Sequence, residues 1–284
     1  MGGDKKNKKQ EILNRVKKEI PADLLKYIPN RWWFIGDILV TSIPEQLFAY
    51  KEIIGEAFLF VENKRSRTVL GKIGPTVDII RSPAFEIIAG EKNTETVHKE
   101  LNTLFKIDAA KLTFSPGNHG EKERLLCQIN ENEIIIDMFA CVGNLSLPIA
   151  VNKSPKQIIA SEINPIAYHY LVENIKLNKV ENKMIALLGD NREILIPYFG
   201  QADRVLSGFF NSDENQNRIA IKLCKKQGII HFHRAISNLE INDMKEKLLK
   251  LIKEEKRIVE TFTYKRVKKY SPGINHIVFD VVVI

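Results

Sequence analysis

The sequence predicts an α/β protein: a parallel sheet with helices on both faces and one reversed strand at its end, preceded by a smaller α+β domain. Three observations carry this. Beyond residue 109, β-branched apolar runs alternate with helix-period segments, the pattern of strand–helix–strand units. The last two strand-like runs, "ETFTYKRVKKY" and "HIVFDVVVI", are parted only by "SPGIN", a hairpin turn that reverses the final strand. Before residue 109 the runs are short and mostly strand-like. The expected domains are therefore residues 1–108 and 109–284.

In chain order, residues 9–28 ("KQEILNRVKKEIPADLLKYI") mix charge and aliphatics at helical spacing, and Pro21 restarts the pattern. "RWWFIGDILVTS" and "EAFLFVEN" are rich in aromatic and β-branched residues and are expected as strands, as are "TVDIIRSPAFEIIAG" and "ETVHKELNTLFKIDAAKLTF". The turn-rich "FSPGNHG" follows. Then strands "IIIDMFA", "QIIASEI", "KMIALLGD", "ADRVLSGFF" and "GIIHFHRAI" are spaced by helices "SLPIAV", "PIAYHYLVENIKLN" and "RIAIKLCKK". Helix "DMKEKLLKLIKEEK" precedes the closing hairpin. Trp32 and Trp33 are expected in the core of the small domain.

Hydrophobic residues at 44% and charged residues at 27% suit a globular chain with ample core. The net charge of +8 favours a polyanionic partner, nucleic acid first. Cys127, Cys141 and Cys224 form no CxxC pair, which argues against a zinc ribbon or a disulfide framework. No apolar run approaches the roughly 18 residues of a membrane span, and no apolar segment follows "MGGDKKNKKQ", so a secretory leader is not expected. A reducing, cytoplasmic location follows.

In sheets of this kind a ligand sits at the carboxyl ends of the strands, where the strand order reverses. Three successive strand ends carry an acid: Asp137, Glu162 and Asp190. An acid about 20 residues beyond a glycine turn suits the paired hydroxyls of a ribose. One after the third strand can receive an adenine amine. The turn "ACVGNLS" lets the backbone approach a ligand at Gly143 but lacks the G-x-G-x-x-G that cradles a pyrophosphate. A nucleoside without phosphates fits better than a dinucleotide. The competing reading makes the acids helix caps or turn residues.

"DMFACVGNLSLPIAV", "EINPIAYHYLVENIKLNKVEN" and "LLGDNREI" closely resemble the S-adenosylmethionine (SAM)-dependent tRNA guanine-N1-methyltransferases and wybutosine-synthesis aminocarboxypropyltransferases. The likeness extends through "TETVHKELNTLFKIDAAKLTFSPGNHGEKERL" and "KRVKKYSPGINHIVFDV". It implies a Rossmann-like, seven-stranded class I SAM-dependent transferase domain behind the N-terminal α+β domain. It also implies tRNA as partner, a monomer, and no metal. The residues it assigns to SAM are Ser115, Glu121, Arg124, Asp137, Phe139, Gly143, Asn144, Glu162, Ile163, Asp190 and Asn191; no catalytic residue is assigned.

"VLSGFFNSDEN" lacks the Asn-Leu-Pro of the methyltransferases, and Ser207-Gly208-Phe209 is closer to the Met-Gly-Tyr of the aminocarboxypropyl branch. "IIHFHRA" also resembles that branch. The expected reaction is therefore aminocarboxypropyl transfer to the guanosine-derived base 3′ of the anticodon. The alternatives are methyl transfer or a silent SAM- and RNA-binding paralogue. Departures are Cys141 where glycine is usual, Phe209 for tyrosine, and Asp213 and Glu214 where relatives carry basic residues or histidine.

In the same way "SPGNHGEKERL" reads either as a capped helix start or as a lip over the cofactor. His231 and His233 alternate on one strand and so share a face; they are expected at a structural or substrate-edge position. Lys265, Arg266, Lys268 and Lys269 lie between Tyr264 and Tyr270, mixing charge with stacking surface, which suits RNA.

Overall fold

A computed structural model describes residues 2–74, 84–114 and 116–284. The chain forms two compact units, one of residues to Lys99 with Phe105–Pro116, the other of Glu100–Leu104 with Gly117–Ile284. The expected boundary after residue 108 thus falls within a segment that belongs with the first unit.

The first unit contains helix α1 (Gly2–Val16), strands β1 (Trp32–Ile35) and β2 (Ile38–Ser42), helix α2 (Lys51–Val61), and strands β3 (Thr68–Lys72) and β4 (Phe85–Gly90). The hairpin β5 (Glu95–Glu100) and β6 (Thr103–Asp108) follows. The sheet order is β1-β2-β3-β4, with β2 and β3 parallel across α2. That helix corrects the expectation of a strand at "EAFLFVEN". Its buried residues Ile54, Gly55, Ala57 and Phe58 recur at helical spacing, and a side chain at Gly55 would strike the Ile88 carbonyl at 2.4 Å. Beyond Pro21 only a 3-10 turn forms, Leu25–Tyr27. Trp32 is buried, packs edge-on to Phe58 and donates from Nε1 to Glu62 at 3.0 Å. It is core, as expected; Trp33 is half-buried.

In the second unit, helix α3 (His119–Gln128) leads to β7 (Ile134–Asp137), α4 (Ser146–Asn152), β8 (Gln157–Glu162), α5 (Pro165–Leu177) and β9 (Met184–Leu188). Then come α6 (Asn191–Ile194), β10 (Ala202–Ser207), α7 (Glu214–Leu223), β11 (Cys224–Ile236), α8 (Ile241–Glu254), β12 (Val259–Ser271) and β13 (Ile274–Val283). The sheet order is β12-β13-β11-β10-β7-β8-β9. Strands β7 to β11 run parallel, and β13 is antiparallel to both β11 and β12. The strand order reverses between β7 and β10, which opens a crevice at their carboxyl ends.

Fully buried Ile136, Val205, Ile230, Phe232, Phe279 and Ile252 tie sheet to helices. Each such side chain contributes roughly 1.5–3 kcal/mol of burial. Cys224, expected in the preceding helix, already opposes Ala202 in the sheet, and its thiol is buried. No described helix is long and apolar enough to cross a membrane.

Candidate cofactor site

The cradle is made by the turn after β7. Gly143 N–H and Asn144 N–H both donate to the Ala140 carbonyl, at 2.8 and 3.1 Å. Gly143 stands at φ +93°, and a Cβ there would lie 2.8 Å from Leu147 Cβ, so only glycine fits without strain. Cys141 adopts φ +52°, a left-handed backbone that costs an L-residue about 1–2 kcal/mol. Its N–H donates to Glu162 Oε2 at 2.6 Å. Glu162 Oε1 accepts from Asn164 N–H at 2.8 Å, and Asn164 caps α5 through its own side chain. Asn174 of α5 donates to the Val142 carbonyl at 3.1 Å. Asn164 and Asn174 of "NPIAYHYLVENIKLN" thereby brace the turn from outside.

Asp137 is 1% exposed and opposes Leu206 of β10. Its Oδ1 accepts the Phe139 N–H at 3.2 Å, while Oδ2 has only the neighbouring Ser146 hydroxyl and N–H beside it, neither in full hydrogen-bond geometry, and no other partner among the described residues. Burial pushes its pKa up to about 6, against the help of nearby Ser146 and the Phe139 N–H. Burial likewise raises Glu162 above the usual carboxylate range. Further buried polar atoms without a partner among the described residues are Asn144 Oδ1, Asn191 Oδ1, Ser146 Oγ and Ser207 Oγ. Asn191 is tied to the same turn by donation to the Met138 carbonyl at 3.0 Å.

Buried polar atoms in native proteins are almost always paired. A cluster of orphans and two raised carboxyls at one strand edge is what a bound polar ligand would satisfy. The donor set is acidic and neutral, without lysine or arginine on the turn from Asp137 to Asn144. That suits a cationic nucleoside and not a pyrophosphate.

Of the other residues expected here, Phe139 packs against Phe209, ring centroids 5.4 Å apart. Ile163 is 43% exposed beside Glu162, whose register partner Leu188 is 49% exposed, so an apolar surface flanks the acid. Asp190 is the N-cap of α6, accepting from Arg192 N–H at 2.9 Å and pairing with the Arg192 guanidinium, which holds it below the usual range. Ser115 lies outside the described residues.

Glu121 and Arg124 lie on α3, joined to each other at 2.8 Å, and Arg124 also binds Asp280. They belong to a buried polar chain that the sequence reading did not anticipate. Glu133 accepts from Arg204 at 2.8 Å, Arg204 meets His231 Nε2 at 2.7 Å, and His231 Nδ1 meets Asp280 at 2.6 Å. Though burial opposes it, hydrogen bonds from His231 and Arg124 hold Asp280 far below the usual range. His233 lies 3.7 Å from Glu121 and shares a 3.0 Å contact with His276, whose pKa burial lowers to about 3. A charge inside each apolar strand, Arg204 in "ADRVLS" and Asp280 in "VFDVVV", was the signal available. Among the described residues no group of three His, Cys, Asp or Glu could hold a metal ion.

Asp213 and Glu214, departures from the resembled family, have a local role: Asp213 caps α7 in a capping box with Gln216. On β12, Lys265, Arg266 and Lys269 are exposed, whereas Lys268 is half-buried, its pKa lowered by burial and by Lys122.

The strand order, the reversed β13 and the acid-lined turn define a class I SAM-dependent transferase fold. Residues 96–261 match the TRM5/TYW2 methyltransferase domain and residues 10–94 the TYW2 N-terminal domain, so the chain belongs to the TRM5/TYW2 family. It is 37% identical over 273 residues to the tRNA(Phe) (4-demethylwyosine(37)-C(7)) aminocarboxypropyltransferase of Pyrococcus horikoshii, covering 96% of each chain. To the enzyme of the same name from Methanocaldococcus jannaschii it is 39% identical over 248 residues, 87% of this chain and 95% of that one. The crystal structure of Pyrococcus horikoshii TYW2 in complex with MeSAdo superposes with a TM-score of 0.83 at 35% identity, over 97% of this chain and 99% of that one.

Proposed function

We propose that the chain transfers the aminocarboxypropyl group of SAM to C7 of 4-demethylwyosine at position 37 of tRNA(Phe), the reaction for which its relatives are named. The reading is supported above all by the buried Asp137 carboxylate at the switch point, its Oδ2 met by nothing stronger than Ser146 among the described residues, beside Glu162 on the neighbouring strand. SAM supplies a sulfonium whose positive charge makes each attached carbon electrophilic. The protein's part is orientation, which can contribute many orders of magnitude in rate.

Glu162, held by two backbone N–H groups, keeps lone pairs for the ribose hydroxyls. Asp137 Oδ2 and the buried oxygens of Ser207, Asn144 and Asn191 offer acceptors for the ammonium, hydroxyl and adenine-amine donors of the ligand. Ile163 offers an apolar face to the adenine, and Phe139 with Phe209 walls off water. Glu121 and Arg124, tied into the buried chain through Asp280 and His233, are assigned to the cofactor by resemblance alone, as is Ser115. Asp190 serves from its capping position. The exposed bases of β12 meet the RNA, and action on tRNA as a monomer in the cytoplasm completes the reading.

Incubation of tRNA bearing the precursor base with SAM labelled in its carboxyl carbon tests this. Label retained in the tRNA supports it. Retention only from methyl-labelled SAM replaces it with methyl transfer, and no retention from either leaves the silent paralogue.

A further inference from the structure

We propose that the pocket between α7, α8 and the carboxyl end of β11 is a phosphate subsite that takes a backbone phosphodiester of the RNA substrate. It deepens the reading above and rests on it. The pocket has a volume of about 340 Å³, with Ser212, Asn217, Arg234, Lys247, Lys250 and Glu254 among its walls.

Arg234 is the reason. It is 3% exposed, and its guanidinium donates only to neutral acceptors, the His233 carbonyl at 2.7 Å and Asn217 Oδ1 at 2.6 Å. Among the described residues no carboxylate pairs with it, and burial alone lowers its pKa to about 10. A buried charge without a counter-charge is costly and is normally paired. Asn217 is fixed in turn by Ser212 Oγ at 3.0 Å, so the fork is held in place.

The surroundings reinforce the charge. Lys247 and Lys250 stand exposed at the mouth. The acids there, Glu214 and Glu254, both accept from Arg218, whose single charge is shared with Glu255, and Glu254 also pairs with Lys250 at 3.9 Å. Among the lining residues Arg234, Lys247 and Lys250 outnumber Glu214 and Glu254 by one charge, and a planar guanidinium beside ammonium groups is a donor set that suits phosphate.

The place of the pocket favours RNA over a free anion. The loop from β10 to α7 carries Phe209 against Phe139 of the cofactor cradle and, three residues on, Ser212 in the pocket wall. A phosphate held there would anchor a strand whose base reaches the cradle.

The test compares wild type, the exposed double variant Lys247→Glu/Lys250→Glu, and Arg234→Gln by filter binding of tRNA at several salt concentrations. SAM affinity by calorimetry serves as the check on folding. The expected result is at least about a tenfold loss of tRNA affinity in the double variant, with a salt slope reduced by about one per lost phosphate contact, at unchanged SAM affinity. Wild-type tRNA affinity in the double variant overturns the proposal even if Arg234→Gln fails to fold. Saturable inorganic phosphate binding in wild type, with tRNA affinity indifferent to the rim variant, marks an adventitious ion only and also overturns it. Failure of wild type itself to bind tRNA removes the functional reading and this subsite together.

Discussion

Cys141 donates its backbone N–H to the Glu162 carboxylate at 2.6 Å from a left-handed conformation, φ +52°. The turn after β7 and the acid that ends β8 are therefore one mechanical unit. Removing the acid should disturb both. Glu162→Ala is expected to weaken SAM binding by about 1.5–3 kcal/mol, the value of a hydrogen bond to a charged group. Calorimetry on the folded variant checks this, and undiminished affinity would remove Glu162 from the site.

Cys141→Gly tests the strain in the same turn. Glycine adopts φ +52° without the Cβ penalty, a relief of about 1–2 kcal/mol against its greater freedom in the unfolded chain. Thermal stability should hold or rise, and SAM affinity should hold or improve. A large loss of affinity in calorimetry would make the thiol part of the pocket.

Asp137 sets a pH dependence. Its pKa is about 6 in the fold against 3.8 in the open chain, so the folded state binds the proton more tightly. The stabilisation from that proton is complete below about pH 3.8 and is lost as pH rises through 6. A cationic ligand favours the ionised form, so SAM affinity should fall as pH drops through about 6. In Asp137→Asn the pH dependence of affinity in this window should shrink, leaving only the part that belongs to Glu162, which burial also raises. Identical titration curves for variant and wild type would refute the assignment.

On β12 the exposed bases separate from the half-buried one. Lys265→Ala/Arg266→Ala/Lys269→Ala should lower tRNA affinity and flatten its salt dependence, each lost phosphate contact releasing fewer counterions. SAM binding should persist. Because β12 is an edge strand, these side chains could instead guard against sheet-to-sheet association. Normal tRNA binding with increased light scattering would establish that role in place of RNA contact.

Much of this was legible in the sequence for physical reasons. The parallel sheet announced itself because buried strands such as "IIID" read as continuous apolar runs, and the reversed β13 because so short a turn can only make a hairpin. The acids at the ends of β7, β8 and β9 were visible because each interrupts such a run. What escaped was non-local. "EAFLFVEN" has strand-like composition but is recruited as a helix by packing against Ile88, a tertiary effect. The chain from Glu133 to His276 joins residues from α3, β10, β11 and β13, and only the folded sheet brings Arg204, His231 and Asp280 into contact. Nothing in "GIIHFHRAI" marks Arg234 as buried, since its burial depends on the helices packed over that strand end.

The most direct measurement is the mass of the nucleoside at position 37 after tRNA(Phe) carrying 4-demethylwyosine has been incubated with the protein and SAM. A gain equal to one aminocarboxypropyl group, abolished in Asp137→Asn/Glu162→Ala that still folds, is the predicted result. A gain equal to a methyl group, or an unchanged base in the presence of demonstrated SAM binding, would contradict the assignment.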